Sequence, residues 1–129
     1  MNTSEMVFEY LKKNGLSPTY YNDNTVIFKY QMATFIYVID NNDVSFFRIE
    51  MPEIYDVTED NRIAVLEAIN EVTNTAKVAK AYIPTSGGNR NVALSTEILI
   101  DGTPVLEDII PRLLQLLMDT REYFYKVIS

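Results

Sequence analysis

Two adjacent glycines occur once in this chain, in the segment PTSGGNRN from Pro84 to Asn91. Such a segment could bind phosphate, because the backbone N–H groups of a glycine-rich turn and the dipole of a following helix attract an anion. The segment lacks the lysine of a G-x-x-x-x-G-K-[ST] loop, and the residues that follow it, VALSTEILI, have the pattern of a strand. This context predicts the connection of a β-hairpin, in which Gly87 and Gly88 adopt positive φ angles.

Acidic side chains offer another route to chemistry, through metal binding or shared protons. The segment DNND, Asp40 to Asp43, has the composition of a calcium loop, but Val44 occupies the place of the third oxygen ligand. Aspartate and asparagine favour turns through local hydrogen bonds, so we interpret this segment as a turn. Two carboxylate pairs are interpreted as strand-end and helix N-terminal charges: Glu50 with Glu53, and Glu107 with Asp108. The sequence therefore predicts no catalytic, cofactor-binding or metal site.

The composition also argues against catalysis. The 129 residues include neither histidine nor cysteine. Histidine is the usual general base and the commonest metal ligand, and cysteine supplies thiolate nucleophiles and zinc ligands. An enzyme built from the remaining residues would need a carboxylate, a lysine or a tyrosine with a strongly shifted pKa. We therefore expect that the protein is not an enzyme.

Size and charge restrict the class of protein further. An apolar fraction of 47% is enough for one core, so we expect a single domain over residues 1–129. Eighteen acidic and eleven basic side chains give a formal charge of -7, which disfavours nucleic acid and membrane partners. The longest apolar run, Ala33 to Ile39, is too short to span a bilayer, and the N-terminal residues lack the pattern of a secretion signal. We expect a cytoplasmic protein, because its lack of cysteine suits a reducing compartment.

Three segments have the period of amphipathic helices. The first runs from Ser4 to Lys13, with Thr3 or Ser4 as its N-cap and Gly15 as its stop. The second is expected to begin at Thr58, with acidic residues in its first turn. Its predicted buried face is Val65, Ile69, Val72 and Ala76, widened by Leu66.

The third helix lies in the last quarter of the chain, and Pro111 leaves two alternatives for its start. Either Asp108 is the N-cap of the main helix, or the helix begins earlier and kinks at the proline. Its predicted buried face is Ile110, Leu113, Leu117, Phe124 and Val127.

Six segments rich in β-branched and aromatic residues are predicted as strands. Pro52 is expected to end the fourth, because proline has no N–H for a ladder. In the sixth, Ser95 and Glu97 are predicted on the face opposite the apolar side chains. The predicted order is α-β-β-β-β-α-β-β-α, an α+β fold with helices packed on an antiparallel sheet. The strands are predicted at Thr19–Asn22, Thr25–Gln31, Thr34–Asp40, Val44–Met51, and within KVAKAYIP and VALSTEILID.

The third predicted strand is apolar on both faces. Phe35, Tyr37 and Ile39 point one way, and Ile36 and Val38 point the other. A strand of this kind is covered twice, either by two layers of its own chain or by another subunit. The nine tyrosines suit both a packed sheet face and a protein-binding surface.

The second half of the chain resembles the bacterial YbjN-like family. The resemblance rests on Asn70 and Asn74, on the strand VALSTEIL, on Asp101-Gly102, and on the leucine-rich run from Leu113 to Leu117. It implies a fold similar to that of class I type III secretion chaperones, small acidic proteins that commonly dimerise and bind extended segments of a partner. No catalytic residue and no cofactor comes with the resemblance, and members are sometimes described as candidate sensory transduction regulators.

These observations lead to one expected function and two alternatives. We expect a non-catalytic, cytoplasmic protein-interaction or regulatory domain that forms a homodimer. The first alternative is a class I type III secretion chaperone that binds an extended client protein, and the second is a carboxylate-based enzyme or a small-ligand binder. The residues expected at a partner or dimer surface are Tyr37, Ile36, Val38, Asn70 and Asn74.

Overall fold

A computed structural model of the chain describes residues 1–85 and 90–129. Within these residues the elements follow the predicted order, and the α+β class is confirmed. The elements are α1 (Thr3–Lys13), β1 (Thr19–Asn22), β2 (Thr25–Tyr30), β3 (Ala33–Val38), β4 (Phe46–Asp56), α2 (Arg62–Thr75), β5 (Ala79–Tyr82), β6 (Asn91–Leu99) and α3 (Leu106–Ile128).

The strands form one antiparallel sheet in the order β1-β2-β3-β4-β6-β5. The first four strands form a meander. After α2 the chain forms β5 at the edge of the sheet and then β6, which lies between β4 and β5. The ladder between β4 and β6 is long, from Phe46 paired with Leu99 to Asp56 paired with Asn91. These two strands therefore form the centre of the sheet, and β1 and β5 form its edges.

The hydrophobic core lies between one face of the sheet and the helices. Alternate residues of β3 and β4 point into it, as expected of strands that are covered by helices on one face. Leu113, Leu117 and Phe124 of α3 are buried there as predicted, and the neighbouring Val127 is partly buried. The aromatic rings at its centre are Phe28, Phe35, Phe47 and Phe124.

The first helix ends as predicted but begins with a different cap. Gly15 has φ +74, a left-handed conformation that glycine adopts without strain. The N-cap is Asn2, not Thr3 or Ser4: its side chain accepts from the Glu5 N–H at 2.9 Å, and Glu5 accepts from the Asn2 N–H at 3.2 Å. This capping box satisfies two backbone donors at the start of the helix.

The second helix begins at Arg62, so the expected start at Thr58 is wrong. Thr58 and Asn61 instead bond each other's backbone N–H groups at 2.7 and 3.2 Å, which makes a separate turn before the helix. The buried face consists of Val65, Ala68 and Val72. Leu66 does not widen this face, because 44% of it is exposed.

Pro52 does not end the fourth strand, which continues to Asp56. The ladder with β3 ends at Glu50, and the register with β6 shifts between Met51 and Tyr55, where Glu53 has φ +53. Pro52 thus lies at a bulge, where its missing N–H breaks no regular ladder. In α3, the earlier of the two predicted starts is correct, because the helix begins at Leu106 and contains Pro111.

Candidate functional site

The sheet has a second face, which points away from the helices and which we call the open face. Ile27, Ile36, Val38 and Phe46 lie on it, half-buried, and none of them packs against the hydrophobic core. Leu99, which pairs with Phe46, is 75% exposed. In residues 1–85 and 90–129, no element forms a layer over these apolar side chains, because the helices pack on the core side.

A polar cluster occupies the other half of the open face, over strands β4, β6 and β5. Arg48 Nη2 donates to Glu50 Oε1 at 2.6 Å and to Tyr82 Oη at 2.9 Å. The Tyr82 hydroxyl donates to the same Glu50 oxygen at 2.6 Å. Because β6 lies between the strands that carry these groups, the side chains reach across it. The β6 residues beneath them, Ala93 and Ser95, are small and buried, which leaves room for this bridge.

A second ion pair extends the cluster towards the edge of the sheet. Lys80 Nζ donates to Glu97 Oε1, which also accepts from the Ser95 hydroxyl at 3.3 Å. The Lys80 ammonium and the Arg48 guanidinium lie 5.6 and 5.9 Å from the centre of the Tyr82 ring. Each cation is therefore near both a carboxylate and the face of an aromatic ring.

The electrostatics of the cluster keep its charges fixed near neutral pH. Burial, the hydrogen bond to Glu50 and the charge of Glu50 raise the pKa of Tyr82 to about 12, against the opposing effect of Arg48. Burial lowers the pKa of Arg48, but Glu50 and Tyr82 outweigh it, so that pKa is raised. The hydrogen bond from Lys80 lowers the pKa of Glu97 against the effect of burial. These three shifts move the pKa of each group away from neutrality, which suits fixed charges and not proton transfer.

The structure separates the five residues expected at a partner or dimer surface. Ile36 and Val38 lie on the open face. Tyr37 cannot supply surface, because it is 4% exposed and its ring packs against Phe47 with centroids 5.3 Å apart. Asn70 and Asn74 are exposed on α2, which packs on the opposite side of the sheet. Apart from the buried Tyr37, the residues expected at one surface therefore lie on two surfaces, one on each side of the molecule.

The acidic residues singled out from the sequence make local contacts. Asp40 accepts from the Asn42 N–H at 2.9 Å, as expected of a turn. Glu107 and Asp108 lie in the first turn of α3, as predicted. Glu50 bonds Arg48 and Tyr82, whereas Glu53 is exposed in the bulge of β4. Within the described ranges, no group of three or more carboxylates is placed to hold a metal ion.

The glycine segment connects two antiparallel strands, as its sequence context predicted. Tyr82 of β5 pairs with Ala93 of β6, so the element after the segment is a strand and not a helix. The predicted φ angles of Gly87 and Gly88 lie outside the described residues.

A helix-covered, six-stranded antiparallel sheet of this topology defines a YbjN-like fold, which confirms at the level of fold the resemblance seen in the sequence. YbjN from E. coli, described as "a putative transcription regulator", has a similar structure, with a TM-score of 0.65 over 97% of this chain and 87% of that chain at 9% identity. An uncharacterized protein from Methanothermobacter thermautotrophicus has a TM-score of 0.68 over 97% of this chain and 95% of that chain at 12% identity. No protein-family model and no curated protein sequence matches the chain.

Among the helices of the described residues, none is both long and apolar enough to cross a membrane.

Proposed function

We propose that this chain is a non-catalytic protein-interaction domain of the cytoplasm, and that it forms a homodimer through the open face. The observation that carries the proposal is the half-buried apolar group Ile27, Ile36, Val38 and Phe46, over which the described chain places no second layer. Contiguous apolar surface on a sheet marks a site of association, because its burial removes it from water.

The size of the open face suits a symmetric contact between two copies. Six strands span five spacings of about 4.8 Å, and central strands of about six residues are roughly 20 Å long, which gives about 500 Å² on each copy. Two copies thus contribute about 1,000 Å² before the additional area of the protruding side chains is counted, which is close to the lower bound for a specific interface. Two sheets packed in this way would be about 10 Å apart, with interdigitating side chains.

The charge of the open face favours a second copy as its occupant. Three cations, Lys29, Arg48 and Lys80, accompany three carboxylates, Glu50, Asp56 and Glu97, so this face is close to neutral in a chain of charge -7. Two copies therefore meet with less repulsion here than across the acidic remainder of the surface. In a two-fold contact the donors and acceptors of one polar cluster can also face those of the other.

A regulatory role would then operate through protein contacts. YbjN is described as "a putative transcription regulator". A chain of charge -7, however, is poorly suited to contact the phosphate backbone of DNA. The catalytic alternative has less support: the hydrogen bond from Lys80 lowers the pKa of the Glu97 carboxyl, whereas a general acid at neutral pH needs a raised one.

The chaperone alternative has one supporting observation at the edge of the sheet. Strand β5 pairs with β6 only from Ala93 to Thr96, so the outer backbone edge of Glu97 to Leu99 has no partner strand in the described chain. An extended client segment could add a strand there. A secreted client that copurifies with the protein and becomes protected from proteolysis along this edge would favour the chaperone over the regulatory domain.

Light scattering over a concentration series tests the proposed homodimer. We expect a mass near twice 14.8 kDa at micromolar concentration, falling towards 14.8 kDa on dilution. A dimer also predicts that the midpoint of thermal unfolding rises with protein concentration, because association stabilises only the folded chain. A mass of 14.8 kDa at every concentration would contradict the homodimer and assign the open face to an unlike protein.

A further inference from the structure

The outer face of α2 is a second exposed surface, separate from the open face. It consists of Ile63, Leu66, Asn70 and Asn74, which recur at helical spacing. Ile63 is 74% exposed and Leu66 is 44% exposed, although α2 buries Val65, Ala68 and Val72 on its other side. Two large aliphatic side chains on the solvent side of a well-anchored helix have no role in the core.

Contacts on the two flanks of α2 define how this surface is bounded. Thr73 accepts from the Ala81 N–H at 3.1 Å, so one flank faces β5. Tyr123 of α3 donates to Glu71 at 3.1 Å, so the other flank faces α3. The outer face of α2 is therefore bounded by β5 on one flank and by α3 on the other, where Tyr123 is half-buried.

The charges around this surface are mainly negative. Four carboxylates on α2 and the turn before it accompany two cations at its ends: Glu59, Asp60, Glu67 and Glu71, with Arg62 and Lys77. All six side chains belong to exposed residues. A second copy would bring the same excess of carboxylates into contact with itself, which is destabilising.

We infer that the outer face of α2 binds a basic amphipathic helix of an unlike protein. Apolar side chains of the partner helix would cover Ile63 and Leu66, and its lysine or arginine side chains would reach Glu67 and Glu71 on the α3 side. The exposed amides of Asn70 and Asn74 can donate to and accept from the partner along the remaining turns. Partner helices are commonly recognised in this way, through apolar side chains at helical spacing together with complementary charge. The inference rests on the proposal that the chain is a protein-interaction domain.

The length of α2 sets the size of the partner segment. Fourteen residues at about 1.5 Å each make a helix of about 21 Å, so a peptide of about four turns would cover it. A suitable probe is a labelled synthetic peptide of that length with leucine on one face and lysine on the other. A comparison peptide carries glutamate in place of each lysine, which keeps the apolar face and reverses the charge.

Fluorescence anisotropy of the two peptides tests the inference with matched variants. We expect the lysine peptide to bind, and the double variant Ile63→Ser/Leu66→Ser to weaken its Kd by at least about tenfold. Glu67→Gln/Glu71→Gln should weaken it by about fivefold, because each glutamine keeps an acceptor but removes a charge. The controls are Val44→Ser, at an exposed valine in the connection between β3 and β4, and Glu9→Gln/Asp23→Asn, which removes the same charge elsewhere.

Three results would overturn the inference: no binding of the lysine peptide at millimolar concentration, equal binding of the glutamate peptide, or equal losses in the control variants. Light scattering on Ile63→Ser/Leu66→Ser separates this inference from the proposed homodimer. A variant that keeps the dimer mass but loses the peptide supports both statements. A chain that is monomeric yet binds the peptide at α2 contradicts the homodimer alone. A dimer that does not bind the peptide contradicts the inference alone.

Discussion

Removing one oxygen atom from Tyr82 should measure how much the polar cluster stabilises the fold. Tyr82→Phe keeps the ring beside Arg48 and Lys80 but deletes the hydroxyl that accepts from Arg48 at 2.9 Å and donates to Glu50 at 2.6 Å. A hydrogen bond to a charged group contributes about 1.5 to 3 kcal/mol when it is well buried. Here the side chains of the cluster are partly exposed, and Arg48 and Glu50 keep their direct bond at 2.6 Å. We therefore expect a loss of about 1 to 2 kcal/mol.

Urea denaturation followed by circular dichroism measures this loss, at one protein concentration for all variants because a dimer would be stabilised by mass action. The slope of the unfolding free energy against urea concentration should be unchanged, since the variant exposes the same surface area on unfolding. Tyr21→Phe is the matched control, because Tyr21 is 74% exposed and its hydroxyl makes no protein hydrogen bond among the described residues. A loss for Tyr82→Phe below about 0.5 kcal/mol, the range of neutral surface changes, would refute the stabilising role of the cluster.

Three further changes test the fold. Leu117→Ala should cost about 2 to 5 kcal/mol in chemical denaturation because Leu117 is fully buried, and a loss well under about 1 kcal/mol would place it outside the core. Gly15→Ala should cost about 1 kcal/mol because Gly15 has φ +74, whereas Gly102→Ala, with open space around the added Cβ, should be near neutral; equal effects would contradict the αL cap. Tyr82 and Tyr37 have pKa values raised to about 12, against about 10 in the unfolded chain, so the stability that they contribute is complete below pH 10 and is lost as pH rises towards 12. The fall in unfolding free energy between pH 10 and 12 should be shallower in Tyr82→Phe than in the unchanged protein, and equal slopes would contradict the raised pKa.

Much of the fold could be predicted because local patterns agree with it. The periods of α1, α3 and the strands show which side chains point inward, and the turns at Asn22 and Asp40 consist of residues that favour turns. The hairpin between β2 and β3 gives no such signal. Its turn residues Gln31 and Met32 have φ of +47 and +66, a conformation that usually selects asparagine and glycine.

The candidate site was less predictable, because it depends on the order of the strands in the sheet. Arg48 and Tyr82 are 34 residues apart, and their contact requires β6 to lie between β4 and β5 with small side chains beneath. The alternation of Ser95 and Glu97 indicated that β6 has a polar face, but not which side chains of other strands lie beside it. Ile36 and Val38 could be found from the sequence, because a strand that is apolar on both sides needs a second cover whatever the order of the sheet. Tyr37 was placed at a surface although it shares the buried side of β3.

The most direct test of the central claim compares two isoleucines that are on opposite sides of the molecule. Ile36→Lys puts a charge in the middle of the open face, and Ile63→Lys makes the same change on the outer face of α2. If the open face joins the two copies, light scattering should give 14.8 kDa for Ile36→Lys and about twice that mass for Ile63→Lys, with circular dichroism showing that both remain folded. A folded Ile36→Lys that keeps the dimer mass, while Ile63→Lys dissociates, would contradict the account and place the contact on α2.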